Sequence, residues 1–284
     1  MVKIRFWKTH GLGNDYILID NRRGLLSEEI LGSLANRLCK RRFSIGADGL
    51  LLLYNSTVAD VKMRIFNADG SEAEMCGNGI RCLAKYCYQN NVVAKSSFQI
   101  ETLAGIKKVW LEVANGRVEA VTVDMGSPIF DRAKIPVSGE GEFIDGEINV
   151  DSEVFRATCL SIGNPHCVIF VDDVEKFPVE YYGPRIERHP IFPKRTNVEF
   201  VQIIEKGILK MRVWERGVGE TLACGTGACA SVVAGSLLGK TGRECTVNLL
   251  GGRLKVKYDE DNRIFLTGPA EIVYEGLIEL EDLI

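Results

Sequence analysis

Residues 1–7 alternate apolar and polar side chains, the period of a half-buried strand. Residues 3–8 therefore predict a strand, 10–15 a polar turn and 16–19 a second strand. The period then changes. Leu31, Leu34, Ala35 and Leu38 recur at helical spacing, and Ser27 before Glu28 and Glu29 supplies an N-cap and an acidic first turn. The basic run 37–42 reads as a solvated helix end. Apolar runs at 50–54 and 61–66 predict buried strands, followed by a turn at 67–70. Ile80, Leu83, Ala84 and Cys87 return to helical spacing, so one face of a helix that begins beside Cys76 enters a core. Cys82 and Cys87 fall on that helix as small packing groups. Residues 98–124 read as short strands with Gly turns, and 126–151 as loop, with Pro128 and Pro136.

The pattern then starts again. From Val154 come a strand, a Gly-Asn turn, a strand, apolar stretches at 198–204 and 209–214, and a second helix rich in small residues (Ala228, Ala230, Ala234, Gly235). Strands resume at 246–258 and 264–267. The clearest sign of repetition is Cys76-Gly77-Asn78-Gly79, which returns as Cys224-Gly225-Thr226-Gly227 at an offset of 148 residues (224 minus 76). At nearly the same offset Gly13-Asn14 matches Gly163-Asn164, Gly49 falls opposite Asn197, Asn67 opposite Glu215, and 104–107 opposite 251–254. Landmarks in one order at one spacing read as an internal duplication. The stretch 117–128 faintly matches 263–269, each ending in Gly and Pro, as if the copies exchange their last strands. The expected domains are then 1–120 with 272–284, and 121–271.

Composition narrows the function classes. A net charge of −3 offers no electrostatic case for nucleic acid or a membrane surface. Apolar runs such as 50–53 are far too short to cross a bilayer, and the alternating start does not resemble a signal peptide. Nine cysteines with no secretion signal suggest reduced thiols and a cytoplasmic protein. Three histidines and no Cys-x-x-Cys pair argue against a zinc site.

The candidate chemistry lies at the two helix starts. A helix N-terminus presents unpaired N–H groups and partial positive charge. It should lower the pKa of an adjacent thiol and bind a carboxylate, with Gly letting the ligand reach the backbone. Set face to face, the two starts would offer the N–H groups of Gly77, Asn78, Gly225 and Thr226 to one carboxylate, with Cys76 and Cys224 flanking the neighbouring carbon. That arrangement suits removal of an α-proton from one face of an amino acid and its return to the other, without metal or other cofactor. Residues 225–230 also meet the loose Gly-x-Gly-x-x-Ala dinucleotide pattern, but the first copy lacks the third small residue. Cys39, Cys159, Cys167 and Cys245 read as inert buried thiols.

Six segments carry a resemblance: HGLGND (10–15), FNADGSE (66–72), MCGNGIRC (75–82), GNPHC (163–167), ERGVGET (215–221) and ACGTGAC (223–229). Together they resemble diaminopimelate epimerase over essentially the whole chain. The resemblance implies an α/β (α+β) fold of two pseudo-symmetric domains, each a strongly curved mixed sheet around a central helix. It implies a cytoplasmic, cofactor-independent homodimer that interconverts LL- and meso-2,6-diaminopimelate for lysine and peptidoglycan precursors. Cys76 would donate and Cys224 accept a proton in the LL-to-meso direction. Gly77, Asn78, Gly225 and Thr226 would hold the reacting carboxylate. Asn14, Asn67, Asn164, Asn197, Glu215 and Arg216 would orient the amino groups and distal carboxylate, with Arg216 as the bidentate partner. His166 and Glu215 would tune thiol acidity, though a turn-stabilising hydrogen bond serves equally well for His166. One departure is Gly49, where many members carry Gln; the contact of that side chain is absent here or supplied from elsewhere. The rival readings are a proline or hydroxyproline racemase or epimerase, a carboxylate-binding relative with idle thiols, and a dinucleotide-dependent dehydrogenase.

Overall fold

Strands that bury both faces organise each half of the chain. The computed structural model describes residues 3–279, so residues 1–2 of the expected opening strand and 280–284 of the expected closing segment lie outside the described residues. Contacts divide the chain into two compact units. One is made of the chain up to Val123 together with the segment from Gly268 on; the other is Asp124–Thr267.

The first unit contains β1 (Lys3–Gly11), β2 (Asn14–Asp20), α1 (Leu31–Leu38), β3 (Gly49–Tyr54), β4 (Val61–Asn67), β5 (Glu72–Ala73), α2 (Gly77–Gln89), β6 (Ser97–Thr102), β7 (Gly105–Ala114) and β8 (Arg117–Gly126). β1–β2 and β3–β4 are antiparallel, β2–β3 and β4–β6 parallel, and β6–β7–β8 antiparallel. The parallel step from β2 to β3 needs a crossover, and α1 provides it. Leu31, Leu34, Ala35 and Leu38 of α1 share a core with Ile17, Ile19, Leu50 and Leu52. Leu51 points the other way, to α2, where a β-carbon added at Gly79 would come within 3.0 Å of it. With helices on both faces, β3 shows no alternation.

The second unit contains β9 (Phe143–Val150), β10 (Glu153–Ser161), β11 (Pro165–Phe170), α3 (Val179–Glu187), β12 (Asn197–Glu205), β13 (Ile208–Glu215), β14 (Gly219–Thr221), α4 (Gly225–Leu237), β15 (Glu244–Leu249), β16 (Gly252–Tyr258) and β17 (Ile264–Gly268). β9–β10–β11 are antiparallel, β11–β12 parallel, β12–β13 antiparallel, β13–β15 parallel, and β15–β16–β17 antiparallel. The last strand, β18 (Glu271–Glu279), runs antiparallel to β1. The series β18–β1–β2–β3–β4–β6–β7–β8 and β9–β10–β11–β12–β13–β15–β16–β17 thus follow the same sequence of parallel and antiparallel steps. Each is a mixed sheet around one central helix. Strands β1, β2, β3, β4, β7 and β18 neighbour α2; β10, β11, β12, β15 and β16 neighbour α4.

That enclosure corrects the expectation of a one-faced helix after Cys76. Residues 77–87 of α2 are all buried. The Arg81 guanidinium is compensated by the carbonyls of Gly77 (2.9 Å) and Pro269 (3.1 Å) and by Asn78 Oδ1 (2.9 Å), and Lys85 Nζ donates to Ala270 O at 2.7 Å. Buried charge is tolerable only with such partners. Other local readings change too. Ser27 makes no side-chain cap bond; a 3₁₀ turn, Glu28–Ile30, leads into α1 instead. Arg41, in the run read as a solvated helix end, bridges Asp15 and Asp48. The region read as loop contains β9, whose alternation (Ile148 and Val150 buried) is hidden by Gly146, where the Phe143 ring fills the space of a side chain. Helix α3, which has no counterpart in the expected pattern, carries Pro184 in its interior.

Candidate active site

Both helix starts are built alike. Cys76 is extended (φ −138°, ψ 124°) and N-caps α2, its Sγ accepting from Gly79 N at 3.5 Å. Cys224 (φ −118°, ψ 107°) N-caps α4, its Sγ accepting from Gly227 N at 3.4 Å. A sulfur thus stands where Ser or Asp oxygen caps most helices. The turns at Gly13 (φ 88°) and Gly163 (φ 93°) both need the left-handed conformation that glycine adopts freely. Each delivers an Asn into its unit's cluster.

In the first unit, Asn14, Cys76, Gly77 and Asn78 come together. Asn14 Oδ1 accepts from Asn78 Nδ2 (3.2 Å) and Tyr16 Oη (2.7 Å), and lies 3.7 Å from Cys76 Sγ. Asn14 Nδ2 donates to Asp48 Oδ2 at 2.9 Å. Behind this pair, Lys8 and Arg41 hold Asp15. Burial works against the Asp15 charge, but hydrogen bonds from both cations keep its carboxyl below the ordinary value. Asn67 is not drawn into the cluster: it is exposed, and Nδ2 donates to Ser71 Oγ (2.9 Å) within its own turn. Gly49 pairs with Tyr16 across β2 and β3, and a β-carbon there would meet Phe66 O at 2.8 Å and the Tyr16 ring at 3.1 Å.

In the second unit, His166 and Asn164 face a buried carboxylate, Glu199. His166 Nδ1 lies 2.7 Å from Glu199 Oε1, and Nε2 donates to Asn164 Oδ1 at 2.9 Å. The Asn164 oxygen can only accept, so the hydrogen of that contact is on Nε2. Both readings of His166 therefore have a contact: the turn bond to Asn164, and the link toward the thiol through Glu199. Gly227 is where Glu199 and Cys224 converge, since a β-carbon there would be 2.7 Å from Glu199 Oε1 and 3.3 Å from Cys224 Sγ. Thr226 Oγ1 is 3.5 Å from the same sulfur.

The Cys224 thiol departs from the expectation that a helix start lowers its pKa. Burial pushes it well up, and the Glu215 and Glu199 carboxylates push in the same direction; Thr226 and the Gly227 N–H only partly oppose them. Asn197 is buried and committed to the backbone: Nδ2 donates to Pro165 O at 2.8 Å and Oδ1 accepts from Arg216 N at 2.9 Å. Glu215 accepts from the Thr221 hydroxyl, and Arg216 is exposed. Among the described residues no group of three or more His, Cys, Asp or Glu could hold a metal ion, and no helix is long and apolar enough to cross a membrane.

Three polar residues of these clusters escaped the sequence reading: Tyr16, Asp48 and Glu199. Glu199 was within reach, because it lies two residues after Asn197 on one strand and so shares its face. Burial pushes the Cys82 thiol up to about 12 and Cys39 up to about 11, consistent with packing groups.

The model of the diaminopimelate epimerase family matches residues 6–130 and 158–273. The diaminopimelate epimerase of Moorella thermoacetica is 51% identical over 283 residues, covering 98% of this chain and 100% of that protein. That of Methanococcus maripaludis (strain C5) is 51% identical over 281 residues, with coverage of 98% and 100%. Among solved structures, a hydroxyproline epimerase from Agrobacterium vitis superposes with a TM-score of 0.72 at 15% identity, covering 99% of this chain and 93% of that one. A Bacillus anthracis phenazine biosynthesis protein of the PhzF family gives 0.71 at 18%, covering 98% and 100%. These two share the fold. With half its residues identical to such relatives along nearly its entire length, the chain belongs to the diaminopimelate epimerase family.

Proposed function

We propose that this chain interconverts LL- and meso-2,6-diaminopimelate without a cofactor, with Cys76 and Cys224 as the two proton-transfer groups. The observation that carries this reading is the duplicated helix start, each with a thiol as N-cap and a Gly behind it. An α-proton beside a carboxylate is very weakly acidic. Fixed N–H donors around that carboxylate stabilise the charge that grows in the transition state. The first-turn N–H groups of Gly77, Asn78, Gly225 and Thr226 would be such donors, because the amides that open a helix point out along its axis. Inversion needs one group per face of the α-carbon, one as thiolate and the other as thiol.

The remaining polar groups suit a substrate with two carboxylates and two amines. Arg216 takes the distal carboxylate as a fork, and the Asn197 amide, spent on Pro165 and Arg216, holds the backbone that presents it. Glu215, with Asn14, Asn67 and Asn164, serves the ammonium groups. An ammonium beside Glu215 would also offset a carboxylate that opposes the Cys224 thiolate, so substrate binding itself would ready Cys224 to accept a proton. We place the enzyme in the cytoplasm, where its nine free cysteines stay reduced, as a homodimer supplying lysine.

Incubation with LL-diaminopimelate in deuterated, reducing buffer with no added cofactor should place deuterium at the α-carbon. Absence of exchange would remove the epimerase reading; exchange on hydroxyproline instead would favour the rival substrate class. Cys76→Ser and Cys224→Ser should each slow epimerisation by about 10²–10⁴-fold, the weight of a positioned acid or base. An active single variant would rule out two-base transfer.

A further inference from the structure

We propose that the Tyr16 hydroxyl is a positioning group that follows the proton on Cys76, donating to the sulfur when it is thiolate and accepting from it when it is thiol. This rests on the reading of Cys76 as a proton-transfer group. Tyr16 Oη lies between two neighbours, Cys76 Sγ at 2.9 Å and Asn14 Oδ1 at 2.7 Å. A phenol has one hydrogen to give. Asp48 Oδ2, which can only accept as a carboxylate, takes the Asn14 NH₂ at 2.9 Å and so turns Oδ1 toward the phenol. Asn14 Oδ1 is therefore an acceptor in either state.

Two arrangements satisfy every atom. With Cys76 protonated, Tyr16 donates to Asn14 Oδ1 and its own oxygen accepts the S–H. With Cys76 ionised, the O–H turns to the sulfur, and Asn14 Oδ1 keeps its bond from Asn78 Nδ2 at 3.2 Å. The proton that leaves Cys76 goes to the substrate carbon; Tyr16 only rotates and stays a phenol. Burial, and then the charge of Cys76, push the Tyr16 hydroxyl well above its ordinary pKa, which keeps it a donor. The ionisable groups acting on the phenol are Cys76 and Cys82 from α2 and Asp48 from the approach to β3; Arg41 pairs with Asp48, and the Arg81 guanidinium acts on Cys82. Besides Tyr16, the Gly79 N–H donates to the sulfur at 3.5 Å. A charge-assisted O–H bond at 2.9 Å outweighs that long backbone contact.

The ring is placed by Gly49. Tyr16 and Gly49 are register partners, and a β-carbon at 49 would press on ring carbons at 3.1 and 3.3 Å. The phenol thus occupies space that any side chain at 49 would contest.

Tyr16→Phe keeps the ring and removes the donor. We expect kcat to fall about tenfold or more with KM within twofold and, with meso-diaminopimelate as substrate, where Cys76 is the thiolate that takes the proton, the acid limb of the rate profile to move to higher pH. Iodoacetamide alkylation of Cys76 at pH 7.5, followed by peptide mass spectrometry, should slow while that of Cys224 is unchanged. Replacing Tyr16 with 3-fluorotyrosine, a stronger donor of nearly the same size, should move the acid limb the opposite way. Wild-type rate, pH profile and Cys76 alkylation in both variants would overturn the proposal. The alkylation readout does not need turnover, so it separates this proposal from the two-cysteine reading, which fails instead if Cys76→Ser remains active.

Discussion

Gly227→Ala tests how tightly the second helix start is built. The new methyl would lie 2.7 Å from Glu199 Oε1, 3.1 Å from its Cγ and 3.3 Å from Cys224 Sγ. Carbon–oxygen contacts settle near 3.3–3.6 Å, so something must move by about 0.6–0.9 Å. Glu199 has nowhere to go: it is fully buried and its Oε1 is held at 2.7 Å by His166. Overpacking of this kind costs about 1–3 kcal/mol, offset by up to about 1 kcal/mol from replacing a helical Gly. The net loss of stability is then about 0–3 kcal/mol. The effect on rate should be larger, because displacing a reacting group by about 1 Å can cost on the order of 10²-fold. Gly235→Ala is the matched control. Its methyl would meet Thr241 Oγ1 at 2.7 Å and Cγ2 at 3.0 Å, on the same helix but about 12 Å further along the axis. Urea denaturation should show similar small losses for both variants, whereas deuterium incorporation should fall about 10²-fold for Gly227→Ala alone. Wild-type turnover in Gly227→Ala, or equal loss in both, would refute the reasoning.

Glu199→Gln should make Cys224 easier to ionise, since it removes one of the two carboxylates that add to burial in holding the thiol protonated; alkylation of Cys224 should begin at lower pH, and an unchanged onset would mean that Glu199 holds no charge there. Stability should also fall in alkali. Burial raises the folded pKa of Cys39 to about 11 and of Cys82 to about 12, whereas an unfolded thiol ionises near 8.5. Above that pH the unfolded chain binds fewer protons than the folded one, so the loss begins near pH 8.5 and continues to the folded values, at up to about 1.4 kcal/mol per pH unit for each such thiol. A urea midpoint that stays flat between pH 8 and 10.5 would contradict this.

The helical and strand periods of the chain announced most of its elements, and the two Cys-Gly segments announced where α2 and α4 begin. Those features are local: a cap, a turn or an amphipathic stretch is specified by residues a few positions apart, whatever surrounds them. The same locality explains the misreadings. Alternation in β9 is masked at Gly146, and α2, enclosed by strands, buries the polar side that its spacing assigned to solvent. Tertiary structure alone decided the surroundings of each sulfur. Tyr16 meets Cys76 because β2 packs against α2, with Gly49 on β3 leaving room for the ring; Glu199 reaches Gly227 because β12 passes beneath the start of α4. Whether a helix-start thiol ionises depends on its burial and on which carboxylates pack beside it. For Cys224 those partners come from β12 and β13, and no count of residues along the chain could have supplied them.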